Sequence, residues 1–234
     1  MPLSFGTGTF HKLKLTTAQQ RAILDSLPVD GVEACTATMA EVEELLRDEE
    51  HLRFLKKYQH NTLHAPFKDD FRLAHDSEGA AEKITTLARS INARHIVFHR
   101  HNTDSVDTLE RLDYPFTVEN TVTGGWHGEQ LTALFKEHPD LKLTLDTSHA
   151  LHFGEEELQR LTTTLKENTA QVHLSNVIEG RHHRQFTKEG GEERLKRILG
   201  RLPKRELLIT VEENFDDIRD IKPELDLIKK VLGE

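Results

Sequence analysis

Apolar and polar positions along the chain fall into short β-branched runs separated by longer stretches with helical spacing. Leu3 to Thr7 forms a first short strand; Ala18, Ala22, Ile23 and Leu27 then recur at helical intervals, with Thr16 or Thr17 as cap and Pro28 as stop. Gly31 to Cys35 is the second strand, and an acidic first turn opens a helix over Met39 to Leu46. Asn61 to Pro66 is the third, after which Ala81, Ile84, Leu87, Ala88 and Ile91 trace a helix stripe. His95 to His99 is the fourth, followed by room for only an abbreviated helix around Thr108 to Leu112. Phe116 to Asn120 is the fifth, leading through Gly124 and Gly125 to a helix over Glu129 to Glu137.

The sixth strand begins at Leu141 and breaks at Asp146 and His149, where a helical pattern starts; Glu155 to Asn168 continues it with Leu158, Leu161 and Leu165 on one face. Gln171 to Asn176 is the seventh, followed by the long polar loop VIEGRHHRQFTKEGG and a helix through Leu195, Ile198, Leu199 and Leu202. Glu206 to Glu212 is the eighth, and a helix with Leu225, Ile228 and Val231 closes the pattern. Strands alternating with helices at intervals of about 30 residues predict an α/β fold, a (β/α)8 TIM barrel, in one domain over residues 1–234. An open doubly wound sheet is the competing architecture, but it rarely distributes site residues over six strand ends.

Composition narrows the function classes. A formal net charge of -9 argues against a general nucleic-acid-coating role, although local basic rims can coexist with an acidic whole. The single cysteine, Cys35, is expected to be a small buried residue and excludes an internal disulfide and thiolate-only metal sites. The start lacks the apolar core of a signal peptide and no run is long enough to cross a membrane, so a cytoplasmic location without membrane association is expected; no obligate protein partner is evident.

The chain has 15 histidines, far more than one site needs. Position on the elements separates them. His64, His99, Glu119, Asp146, His149, His173 and Glu212 all stand at or near the ends of strands three to eight, where a barrel gathers them into one bowl. This mixture of nitrogen and oxygen donors suits Zn²⁺, Mn²⁺ or Fe²⁺. Ions bridged through Glu119 would lower the pKa of a bound water to about 7. Arg181, His182, His183 and Arg184 sit beside the bowl, placed to bind an anion or add a ligand. His11, His75, His127, His138 and His152 lack partner spacing and are expected to be exposed or locally hydrogen-bonded, and Trp126 to pack over the barrel mouth.

The pieces LHAPF, VFHRH, TVENTVTGG, LDTSHA, VHLSN, GRHH and VEEN, in that order, resemble the endonuclease IV family of abasic-site endonucleases (AP endonuclease family 2), within the xylose isomerase-like barrel superfamily. The resemblance spans strands three to eight. It implies a barrel with two or three zinc ions: His64, His99 and Glu119 on one, Glu119, Asp146, His173 and Glu212 on the second, His149 and His182 on the third. Gly180 stands where the family places an aspartate ligand of the third, and Ser175 where it has Asn. Phe67 matches a residue that enters the duplex, and Arg100, Arg181 and Lys188 are candidate phosphate contacts. The implied activity is hydrolysis of the phosphodiester at abasic sites in DNA by a metal-bound hydroxide, a DNA-repair function.

The superfamily's epimerases resemble the chain at Glu119, Asp146, His173 and Glu212 alone, which implies the alternative. A sugar or sugar-phosphate isomerase or epimerase would hold one Mn²⁺ or similar ion, with Glu119 and Glu212 as the catalytic pair moving a proton across an enediolate. A barrel serving only as a binding scaffold is a third reading, against which the intact ligand set argues.

Overall fold

The computed structural model describes residues 1–68, 71–74, 77–124, 126–188, 191–203 and 207–233. His75, Gly125 and Glu206 of the sequence reading lie outside the described residues. In chain order the strands are β1 (Leu3–Gly6), β2 (Gly31–Cys35), β3 (Thr62–His64), β4 (Ile96–His99), β5 (Phe116–Glu119), β6 (Leu143–Asp146), β7 (Thr169–Leu174), β8 (Asn176–Ile178), β9 (Arg181–Arg184) and β10 (Leu208–Val211). All but β8 and β9 form a closed parallel barrel in sequence order, with β10 hydrogen-bonded to both β7 and β1. The (β/α)8 barrel expected from the hydrophobic pattern is the fold.

The helices are α1 (Thr17–Ser26), α2 (Met39–Arg47), α3 (Glu49–Leu55), α4 (Glu78–Ser90), α5 (Val106–Glu110), α6 (Gly128–Glu137), α7 (Thr147–His152), α8 (Glu155–Thr164), α9 (Gly191–Arg201) and α10 (Ile221–Leu232). Thr16 caps α1 through a reciprocal pair with Gln19, because its hydroxyl satisfies an otherwise orphaned backbone N–H of the first turn. The helix after β2 differs from the expectation in being followed by a second: Asp48 ends α2 and its carboxylate caps α3 through the His51 N–H. The polar loop after β7 differs more. Its first part is an antiparallel hairpin, β8 and β9, turning at Glu179 (φ 52°) and Gly180 (φ 74°). Two successive positive φ values make the turn that matches strand twist, and glycine at the second tolerates it without a Cβ clash.

Side chains alternate along each barrel strand. Leu63, Val118, Leu145, Val172 and Ile209 are fully buried and join the hydrophobic core with the helices. The opposite parity points into the barrel, where branched apolar residues are usual. Here it is largely polar. Thr117 and Thr144 share a hydrogen bond of 2.7 Å, and the Gln171 side-chain amide donates to Thr210 Oγ1 at 2.7 Å. Matched donors and acceptors make this filling tolerable, since each buried polar group left unpaired costs about 1–3 kcal/mol. The carboxylates and imidazoles of the upper rim therefore rest on a polar floor. No described helix is long and apolar enough to cross a membrane.

Candidate metal centre

The carboxyl ends of the strands deliver the donors. His64 closes β3, His99 closes β4, Glu119 closes β5 and Asp146 closes β6; His173 lies in β7 and Glu212 directly follows β10. Strand pairing puts His99 beside Glu119 and Asp146 beside His173. Their donor atoms form three groups, each with its atoms within 4.8 Å of one another: His64, His99 and Glu119; Glu119, Asp146, His173 and Glu212; Asp146, His149 and His183. Glu119 and Asp146 each belong to two groups.

Glu119 is the hub. Its Oε2 lies 3.2 Å from His64 Nε2, 3.4 Å from His99 Nε2 and 3.5 Å from His173 Nδ1, and its Oε1 lies 3.1 Å from His149 Nδ1. His64 Nδ1 donates to the Ala65 carbonyl at 2.9 Å, which turns Nε2 toward the centre. His173 Nδ1 is 2.8 Å from Glu212 Oε2. Asp146 spends Oδ1 on capping α7, accepting from the His149 backbone N–H at 2.7 Å and from Ser148 Oγ at 2.9 Å.

Three buried atoms, Asp146 Oδ2, His173 Nδ1 and Glu212 Oε2, have no aligned hydrogen-bond partner among the described residues. Buried polar atoms are rarely left so. These three belong to residues of a single group, and a divalent cation among them would satisfy all three; the donor set therefore fits a metal.

The electrostatics point the same way. Burial lifts the Glu119 carboxyl, but the imidazoles of His173 and His99 and a hydrogen bond from His149 outweigh it and hold its pKa well below the usual range. Glu212 is likewise raised by burial and lowered more by His173, to about 2. Burial opposes charge on His64, yet Glu119, Glu33 and Glu212 raise it to about 9. His149 is raised to about 10 against its burial by Asp146 and Glu119, and His173 is raised well above 6.5 against its own burial by Glu33 and Glu212. In His99 burial wins, and its pKa falls. Protons thus occupy the centre in the absence of cations, and a metal must displace them.

The motif residues between the ligands hold the frame. Asn120 of the ENT piece bridges the ends of β5 and β6: its Nδ2 donates to the Asp146 carbonyl at 2.9 Å and its Oδ1 accepts from the Asp146 N–H at 2.7 Å. Thr147 ties β6 to β7, its hydroxyl donating to the Ser175 carbonyl at 2.7 Å and accepting from the Ser175 N–H at 3.0 Å. Asn120→Ala should lower unfolding free energy by about 1–3 kcal/mol, because it leaves two buried backbone groups of Asp146 unpaired. Urea denaturation reads this directly, and an unchanged midpoint would show that the bridge is dispensable.

The third group contains His183 rather than His182. The rings of His182 and His149 are 5.6 Å apart, and those of His182 and His152 are 4.7 Å apart, so His182 neighbours the centre from the rim. His183, at φ 54°, turns inward; its Nδ1 donates to the Glu212 carbonyl at 3.0 Å and lies 3.9 Å from Asp146 Oδ2. Gly180 sits in the hairpin turn, where an added Cβ would meet nothing within 4 Å.

Phe67 stands over the first group, its ring 5.2 Å from His64 and 5.3 Å from His99. Arg100 stacks on Trp126 and donates to the Thr103 carbonyl at 2.8 Å, Lys188 pairs with Asp220 at 3.2 Å, and Arg181 is exposed beside the hairpin turn. Among the other histidines, His127 stacks on Phe153 and His138 lies 3.7 Å from Glu110. A groove of about 540 Å³ runs from Glu212 and His183 past Phe67 and Phe10 to Lys14 and Lys68. Cys35, expected to be buried, is partly exposed in its wall.

Two participants escape a strand-end reading. His183 follows from the hairpin, and Glu33, 1% exposed in the middle of β2, lies 3.1 Å from His173 Nε2. The one signal for Glu33 was a carboxylate inside the otherwise uncharged strand GVEAC.

No protein-family model and no curated protein matches the chain. Solved structures do. A D-tagatose 3-epimerase-like protein superposes with a TM-score of 0.66 at 18% identity, covering 100% of this chain and 97% of that one. Endonuclease IV from Thermus thermophilus gives 0.64 at 18%, covering 100% and 99%. An AP endonuclease, family 2, from Brucella melitensis gives 0.67 at 16%, covering 95% and 96%. At these identities the likeness is one of fold, a closed (β/α)8 barrel.

Proposed function

We propose that this protein is a metal-dependent phosphodiesterase that cleaves DNA at abasic sites. The observation that carries the reading is the sharing of Glu119 and Asp146 among three ligand groups, which would set up to three ions side by side in one bowl. Zinc suits this donor set best, and manganese is compatible with it. Divalent ions so held supply Lewis acidity toward a phosphate ester and toward water.

The chain's own residues do the rest. His64, His99, Asp146, His149, His173 and His183 fix the centre, and His182 stands at its edge. Glu212, whose side chain is 21% exposed, lines the groove and would hold an ion through its buried Oε2. Phe67 offers an apolar face beside the first group, and exposed Arg181 can meet a phosphate. Arg100 and Lys188 are engaged elsewhere, which leaves them lesser parts in phosphate contact.

A second reading rests on the groove. Its volume of about 540 Å³ suits a small molecule, and a lining that includes Phe10, Phe67, Lys14 and Lys68 suits the apolar face and charged end of a sugar phosphate. In that reading one ion at Glu119, Asp146, His173 and Glu212 would serve an epimerase, with Glu119 and Glu212 moving the proton. The test is an abasic-site oligonucleotide incubated with zinc- or manganese-loaded protein, beside a panel of ketoses and their phosphates. Incision at the abasic site that disappears in Glu212→Gln is expected. Epimerised ketose with intact oligonucleotide would replace the first reading by the second.

A further inference from the structure

Beneath the ligands, on the inner face of β2, lies a carboxylate that none of the three groups includes. Glu33 is 1% exposed, and a charge buried that deeply costs several kcal/mol unless it is matched. Its Oε2 accepts from Thr62 Oγ1 at 2.8 Å and from Gln171 Nε2 at 2.8 Å. His173 Nε2 lies 3.1 Å from Oε1 and 3.2 Å from Oε2.

The same imidazole is gripped from its other side. His173 Nδ1 faces Glu212 Oε2 at 2.8 Å and Glu119 Oε2 at 3.5 Å, among the donors of the four-residue group. A neutral imidazole ligand carries one ring proton, and the nitrogen without it binds the cation. Glu33 has only acceptor oxygens to offer, so the proton belongs on Nε2 and the lone pair on Nδ1.

We propose that Glu33 is a positioning residue that sets the tautomer and ring angle of His173 and so makes Nδ1 the ligand atom. The inference rests on the reading of the centre as a metal site. Glu33 is itself held by a directed chain: His95 Nε2 donates to Gln171 Oε1, which turns the Gln171 amide N–H groups toward Glu33 and Thr210. Each link fixes the polarity of the next, and β2, β3, β7 and β10 all contribute, with His95 just ahead of β4. A carboxylate in this place also adds negative potential beneath Glu119, Asp146 and Glu212, favouring a doubly charged ion.

The test uses the full chain loaded with zinc or cobalt. Zinc affinity is measured by competition with a chromophoric chelator, and the cobalt form is read by its visible absorption, which reports the ligand set. Glu33→Ala should weaken zinc binding about 10–100-fold and alter the cobalt spectrum. Glu33→Gln keeps an acceptor oxygen for the Nε2 proton and should recover part of that loss, giving the order wild type, Gln, Ala. A purely structural role would lower the melting temperature without moving the cobalt spectrum. Wild-type affinity and spectrum in both variants overturns the proposal while leaving the metal centre intact. Failure of the wild type itself to bind either ion overturns the metal reading and this inference together. Should Glu33→Ala not fold, the isosteric Glu33→Gln decides alone, since unchanged affinity and spectrum there are incompatible with the proposal.

Discussion

Glu119→Gln should empty two of the three ligand groups and weaken the metal-free fold in the same stroke. The carboxylate belongs to both the His64 and the His173 groups, and four imidazoles lie between 3.1 and 3.5 Å from its oxygens. An amide of the same shape keeps the volume but loses the charge. Elemental analysis should find at most the ion of the Asp146, His149 and His183 group. Without cations, His64 loses the carboxylate that does most to keep it protonated and His149 loses one of its two main ones, Asp146 remaining, and breaking one partner of a buried pair costs about 3–5 kcal/mol. Urea denaturation of chelator-treated protein should show that loss. Full metal content in the variant would remove Glu119 as the shared ligand.

Zinc and pH should act on stability in opposite senses. His64 and His149 have pKa values of about 9 and about 10 in the folded chain, against 6.5 for an ordinary histidine. A folded pKa above the unfolded one means that the folded state binds more protons between the two values. The stabilisation is therefore complete below about pH 6.5 and disappears as pH rises through 9 to 10. Ligation needs the neutral rings, so zinc binding tightens over the same interval and releases protons. At a zinc concentration 100 times the dissociation constant, stability should rise by about 2.7 kcal/mol. Melting of chelator-treated protein should fall from pH 6.5 to pH 9, while the zinc-loaded form holds or gains. Zinc added in weak buffer at neutral pH should acidify it. A zinc shift independent of pH, with no proton release, would mean that these histidines are not the ligands.

The regular part of the molecule was legible because a parallel barrel imposes a repetitive pattern. Each strand is short and rich in apolar and β-branched residues between helical stretches, and the residue at its carboxyl end faces the bowl whatever lies between strands. His64, His99, Glu119 and Asp146 could thus be located from strand ends alone. The boundary at Asp48 was not visible, because charged residues run on through both α2 and α3 and only Asp48, with its capping carboxylate, parts them. The hairpin after β7 was hidden for a different reason: its strands, NVI and RHHR, show little of the alternation that marks a half-buried sheet.

His182 and His183 mark where local reading stops. Adjacent residues on a strand point to opposite faces, so the register decides which one meets Asp146. That register is set by the Glu179–Gly180 turn, by an irregularity in the β8–β9 pairing and by the Asn214 N–H donating to the His183 carbonyl at 2.7 Å. Glu33 was equally out of reach, since its partners Gln171 and His173 are 138 and 140 residues away and meet it only across a closed barrel. The sequence by itself determined the barrel and placed most of the candidate ligands at its strand ends, because strand periodicity and strand ends are local properties. Tertiary structure alone decided which histidine of the pair turns inward and which carboxylate meets His173 Nε2, because both depend on contacts that exist only after the barrel has closed.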